Sequence, residues 1–168
     1  MSALRQNTLV AILLLLAGIA QGRFAHSLAV HGAQPDFVLV TLACGATLIG
    51  GTGGVGLGLW AGLLSAALVP QTLGTFLASR MAGGAFAGWL AGLVIPRSLV
   101  VPPLAALATT AVTELVYVLM APTHHLRAWA IAVSGEAVCN MLWAIPIFLL
   151  LRRLGIGRKP DDPFGPYS

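Results

Sequence analysis

The sequence predicts an all-α integral membrane protein, a bundle of six transmembrane helices. Three observations carry that expectation. Of the 168 residues, 58% are hydrophobic and only 8% charged, with a mean hydropathy of +0.91, whereas a soluble domain typically carries about 25% charged residues. The apolar runs are long and continuous and lack the alternation that marks a transmembrane barrel. A spanning helix needs roughly 20 residues, so a chain of 168 residues holds about six spans joined by short connections. The charge shortfall excludes a water-facing surface, and the length leaves no room for a separate soluble domain.

Each element follows from the chain in order. A first span occupies residues 8–22, with an extension to Leu28 left open. Arg5 before it and the small residues Ala17, Gly18 and Ala20 near its end resemble a signal peptide, but an uncleaved helix is the expectation. The second span begins at Pro35-Asp36 and ends at Ile49. Proline suits a first helical turn, and an aspartate there complements the helix dipole. Gly50, Gly51, Gly53 and Gly54 then impose a turn or break. The third span covers residues 55–69 and ends at Pro70. The fourth covers residues 73–95 and ends at Pro96-Arg97. The fifth, residues 99–121, ends at Pro122 and the polar Thr123-His124-His125 turn. The sixth, residues 127–151, stops at Arg152-Arg153. Residues 1–154 thus form one transmembrane domain, and residues 155–168, rich in glycine, proline and charge, read as a short loose cytoplasmic tail.

Six spans put both termini on one side. That side holds Arg5, Arg97, Arg152, Arg153, Arg158 and Lys159, against Arg23, Arg80 and Arg127 on the other. Basic residues favour the cytoplasmic side, so the expected orientation has both termini inside. The formal charge of +4 is therefore a matter of topology and anionic headgroups, and nucleic acid is not an expected partner.

Two runs of small residues mark packing surfaces. Gly54, Gly58, Gly62 and Ala66 recur every fourth residue in the third span, and Gly84, Gly88 and Gly92 do so in the fourth. Such faces let backbones approach closely, a main source of association where lipid offers no hydrophobic drive between helices. Two readings stay open: packing within the bundle, which the generality of the pattern favours, and docking faces for a partner's transmembrane helix.

Ionisable residues at membrane depth are functional candidates by default. Here they are Arg80, Glu114 and Glu136, with polar Asn140 one turn beyond Glu136. Counted from the outer helix ends, Arg80 and Glu114 lie roughly 10 Å deep and Glu136 roughly 13 Å. The expectation is a buried polar cluster in which Arg80 is counter-ion to Glu114, Glu136 or both.

Chemistry beyond this has no support in the sequence. HExxH, GxSxG and phosphate-binding loop patterns are absent. His124-His125 reads as a polar turn and not as a metal site, and His26 and His31 lie in the first outer loop. Cys44 and Cys139 sit in apolar runs without disulfide or metal spacing. A non-enzymatic protein without cofactor or metal is expected.

The order of features resembles a known family. Pro35-Asp36-Phe37 opens the second span, Gly58-Leu59-Trp60-Ala61-Gly62 lies in the third, and Leu73-Gly74 precedes Gly83-Gly84-Ala85-Phe86-Ala87-Gly88 in the fourth. Glu114-Leu115-Val116-Tyr117 lies in the fifth, and Asn140, Pro146 and Arg152-Arg153 mark the sixth. This resembles the MreD family of rod shape-determining membrane proteins over residues 5–154. The family often carries an acid after the third-span Gly-Leu-Leu, where this chain has Ser65-Ala66-Ala67, so no role of that acid transfers. The resemblance implies a scaffold of the bacterial cell-elongation machinery in the cytoplasmic membrane, helping to organise side-wall peptidoglycan synthesis and cell shape. It implies an MreC-like bitopic partner, with a RodA-like glycosyltransferase, a class B penicillin-binding transpeptidase and an MreB-like filament in the same assembly. It also implies a fold similar to the S-components of energy-coupling-factor vitamin transporters. The competing expectation is such an S-component, binding a small vitamin-like solute through Arg80, Glu114, Glu136 and Asn140. Against it, the first span lacks an Ala-xxx-Ala patch, and the long outer loops that cover a ligand are missing.

Overall fold

The computed structural model describes residues 2–29, 33–69, 73–93 and 98–157. Six α-helices follow one another: α1 (Ala3–Phe24), α2 (Phe37–Ile49), α3 (Gly53–Leu68), α4 (Leu73–Leu90), α5 (Val101–Met120) and α6 (Leu126–Arg153), with a 3-10 turn at His26–Leu28. The expected boundaries at Pro70 and Pro96-Arg97, the loop residue His31, and Arg158 and Lys159 of the tail lie outside the described residues.

Local chemistry sets the helix ends. The Ser2 hydroxyl accepts the Arg5 amide at 3.4 Å and caps α1. The Asp36 carboxylate accepts the Leu39 amide at 2.8 Å and caps α2, occupying one of the amides that a first turn leaves without a partner. Gly50 and Gly51 take φ of +75° and +54°, a region open mainly to glycine, and so turn the chain sharply from α2 into α3. Proline lies in the first turn of α5, where its missing N–H costs no helical bond. Pro146 lies inside α6 and deprives the helix of one backbone donor.

Helix α2 is the axis of the bundle. Eleven of its thirteen residues are buried, and α1, α3, α4, α5 and α6 all pack on it. Around it, α1 meets α3, α3 meets α4, α4 meets α5 and α5 meets α6, but α6 and α1 barely touch. The sheath of five helices is open at that seam.

Polarity is inverted relative to a soluble fold. Thr41, Thr47, Ser65, Ser79, Arg80, Thr109, Thr110, Thr113 and Asn140 are buried, while Ile12, Leu16, Ile19, Leu104, Leu119, Ile131 and Leu142 are exposed. Exposed apolar surface on that scale needs a non-aqueous surrounding. Among the described residues three helices, α1, α5 and α6, are long and apolar enough to cross a membrane. The expected six helices are present, and α2 and α3 are shorter than the others expected to span. Helix α2 has 13 residues and α3 has 16, so at 1.5 Å per residue they reach about 20 and 24 Å, short of a hydrocarbon core of about 30 Å. The glycine-rich break at residues 50–53 is what shortens them. Protein packed around α2 relieves it of the need to match the lipid.

The glycine stripes close α3 against α4. A Cβ on Gly54 would strike the Gly84 carbonyl, and one on Gly84 would strike the Gly54 carbonyl. A Cβ on Gly58 would sit 2.8 Å from the Met81 Cα, one on Gly62 2.8 Å from the Leu77 Cα, and one on Gly88 2.7 Å from the Gly51 carbonyl oxygen. The Gly51 amide donates to the Gly88 carbonyl at 3.2 Å, tying the turn to α4. Gly92 lies beyond the end of α4, with only the Trp89 carbonyl near its absent side chain. It is therefore no part of the stripe, because the helix ends at Leu90.

The chain closes on itself at one end. The Gly157 amide donates to Gln6 Oε1 at 3.1 Å, and Ile156 is 1% exposed in the core. Residues 155–157, expected in the loose tail, are thus packed against α1.

Candidate functional site: a polar joint and an open seam

A polar joint gathers where the N-terminus of α2 meets α1, α4, α5 and α6. Its centre is a salt bridge between Arg80 Nη2 and Asp36 Oδ2, with the two side chains only 4% and 15% exposed. The Asp36 amide donates to Asn140 Oδ1 at 2.8 Å. Asn140 Nδ2 in turn donates to Thr110 Oγ1 at 3.1 Å and to Glu136 Oε1 at 3.4 Å. From α1, Gln21 accepts the Phe37 amide at 2.7 Å and donates to the Pro35 carbonyl at 3.1 Å. A helix start buried in a membrane protein leaves amides and carbonyls that water cannot reach. Side chains from two other helices, Gln21 of α1 and Asn140 of α6, satisfy them here.

The arginine is held in place by more than its charge. Its guanidinium lies 5.7 Å above the centre of the Phe76 ring, a cation–π distance. Phe76 in turn packs on Tyr117 of α5 with ring centres 5.3 Å apart. Glu114 and Glu136 lie within electrostatic reach of both Arg80 and Asp36, and Trp129 lies beside Glu114. Both glutamates are partly exposed, and they form the open side of the joint.

Arg80, Glu136 and Asn140, expected in one buried polar cluster, all lie in this joint, with Glu114 at its edge. The expected counter-ion does not hold. Arg80 pairs with Asp36 and not with Glu114 or Glu136. The sequence marks Pro35-Asp36 as the opening of the second span, where Asp36 complements the helix dipole. Since α2 is short and central, that opening lies inside the bundle. Gln21 and the threonines of α5 were also missed. Thr109, Thr110 and Thr113 at helical spacing in an apolar span are the signal that was available. Gly54, Gly58, Gly62, Gly84 and Gly88 are consumed by the α3–α4 contact, while Gly92 lies outside it.

In chemical terms the joint is a lock. It neutralises a buried cation, caps the central helix and clamps four others to it. Among the described residues no group of three or more His, Cys, Asp or Glu side chains is placed to hold a metal ion.

The open seam between α1 and α6 is different in character. It forms an apolar cavity of about 270 Å³ walled by Leu13, Leu16 and Ala17 of α1 and by Trp143, Ile147 and Leu150 of α6, with Phe37 and Thr41 of α2 as floor. Phe37 and Trp143 pack edge to face there with ring centres 5.2 Å apart. A second cavity of about 470 Å³ lies between α1 and α3, lined by Asn7, Thr8, Thr52, Gly53 and Trp60.

No family model, no curated protein and no solved structure matches this chain.

Proposed function

We propose that this protein is a non-enzymatic membrane scaffold of the bacterial cell-elongation machinery, of the MreD kind, and that it receives the single transmembrane helix of an MreC-like partner in the seam between α1 and α6. The observation that carries this reading is the unclosed sheath around α2. A central helix has room for six neighbours in close packing, and five are supplied by the chain. The seam is apolar and its floor is preformed, so side chains of an incoming helix find a groove of fixed shape. Because α3 and α4 use their glycine stripes on each other, the seam takes over the docking role that the sequence had offered to those stripes.

On this reading the chain sits in the cytoplasmic membrane with both termini inside. The described ends, joined through Gln6 and Gly157, support an even number of crossings. The RodA-like glycosyltransferase, the class B transpeptidase and the MreB-like filament then join directly or through the bitopic partner. Disulfide scanning tests the proposal. Cysteines replacing Leu16 on α1 and Ile147 on α6 are paired with cysteines placed along the transmembrane helix of a co-expressed MreC-like protein. Crosslinks recurring every three to four positions of that helix are expected. Equal crosslinking from Leu115, on the outer face of α5, overturns the docking site. Recovery of a tightly bound small molecule with no partner protein overturns the scaffold itself.

The rival, a solute-binding S-component, draws on one specific observation: Arg80 has guanidinium nitrogens without a protein partner. Copurification from gentle detergent separates the two: an MreC-like protein recovered with the chain supports the scaffold, and a bound small solute without one supports the rival.

A further inference from the structure

Four buried polar atoms lie along the α4–α5 contact without a protein hydrogen-bond partner: Nε and Nη1 of Arg80 and the hydroxyl oxygens of Thr109 and Thr113. Both threonines are fully buried and Arg80 is 4% exposed. They share one helix contact. Arg80 and Gly83 are one turn apart on the buried face of α4, and a Cβ on Gly83 would strike Thr113 Oγ1 and approach Thr109 Cγ2 to 3.3 Å. A buried donor left without an acceptor costs its full desolvation, more so on a charged group, and native structures leave few such groups. Unpartnered N–H groups of one buried guanidinium and two unpartnered hydroxyls in the same helix contact therefore point to something that accepts hydrogen bonds.

The chemistry of the acceptor is narrowed by its neighbours. The charge of Arg80 is already balanced by Asp36, and Glu114 and Glu136 stand within electrostatic reach, so a further anion is repelled. An apolar group leaves the donors unmet. A neutral oxygen satisfies all of these conditions, because it accepts from Arg80 and exchanges hydrogen bonds with the threonines. An internal water typically makes two to four such bonds. We propose that the joint is a binding site for a neutral hydroxyl-type oxygen, supplied by water or by a small polar solute, seated between the unpartnered N–H groups of Arg80 and the Thr113 hydroxyl. This goes beyond the scaffold reading and does not depend on it.

The test uses the whole chain in detergent or nanodiscs. Through-space magnetisation transfer from water to methyl groups, measured by NMR, is expected at Thr113 and Thr109 and not at Thr47, which is buried and bonded to its own helix through the Ala43 carbonyl at 2.7 Å. Thr113→Val keeps the shape and removes the hydroxyl. It is expected to lower the melting temperature by about 3–6 °C, and Thr113→Ser to retain most of it. Mass spectrometry of the gently purified protein distinguishes the sources: water contact with no copurifying compound assigns water, and a polyhydroxylated or amide compound lost in Thr113→Val assigns a solute. A dry Thr113 methyl with no bound compound overturns the proposal. So does a Thr113→Val protein as stable as the parent with its water contact unchanged.

Discussion

Asp36 acts as a helix cap, an ion-pair partner and a relay to α6 within a single side chain and its amide. That concentration makes its partner more important than the pair's own energy. A buried ion pair is often no more stabilising than an apolar replacement, but removal of one member strands the other, at about 3–5 kcal/mol. Arg80→Met is therefore expected to reduce the yield of folded protein sharply in a detergent thermal-stability assay. Adding Asp36→Asn, which keeps a capping oxygen and removes the unpaired charge, is expected to recover much of the loss. Glu114→Gln and Glu136→Gln are not expected to rescue Arg80→Met. If they do so better than Asp36→Asn, the pairing drawn here is wrong. Gln21 offers a second case. Gln21→Leu leaves the Phe37 amide and the Pro35 carbonyl without partners in a half-buried setting, and a loss of about 1–3 kcal/mol is expected, measurable as a lower melting temperature.

At the scale of helices, glycine position decides tolerance. Gly84 faces the Gly54 carbonyl with no space for a Cβ, whereas a Cβ on Gly56 of α3 meets open space. Gly84→Val is expected to separate α3 from α4, seen as loss of a disulfide engineered between them. Gly56→Ala is expected to be neutral or to stabilise by about 0.5–1 kcal/mol, and equal damage from both would contradict the α3–α4 geometry. The same scale shows what the sequence made legible. Helices α5 and α6 span Val101–Met120 and Leu126–Arg153, within two residues of the expected 99–121 and 127–151, because Pro102, Pro122 and Arg152-Arg153 punctuate unbroken apolar runs. Helix α4 ends at Leu90 and not near Ile95, as hydropathy alone does not register a glycine-loosened last turn. The Arg80–Asp36 pair was hidden for a physical reason. Depth counted along each helix assumes that every helix runs from surface to surface, and α2 does not.

For the whole molecule, closure through Gln6 and Gly157 fixes both described ends at the same end of the bundle. The proposed orientation puts that end in the cytoplasm. Cysteines at Ser2 and Leu154 are then expected to resist a membrane-impermeant thiol reagent in intact cells, and a cysteine at His124, at the opposite end of α6, to react. Reaction at Ser2 with protection at His124 reverses the orientation. The inverted polarity of the molecule has a further effect: its lipid-facing side chains are interchangeable by type, so Leu142→Ile or Ile131→Leu is expected to leave stability within about 0.5 kcal/mol. Residue types matter most along α2 and at the joint, the parts that no lipid reaches.

The shortness of α2 bears on how the protein is made. A segment of 13 residues with an aspartate at its start is a poor independent insertion unit, because it neither spans the hydrocarbon nor neutralises its own charge. Its counter-charge arrives 44 residues later in the chain, with Arg80 of α4. During synthesis α2 must therefore be sheltered beside α1, or within the insertion machinery, until α4 emerges to complete the pair. The axis of the bundle is thus secured only once α4 has been made.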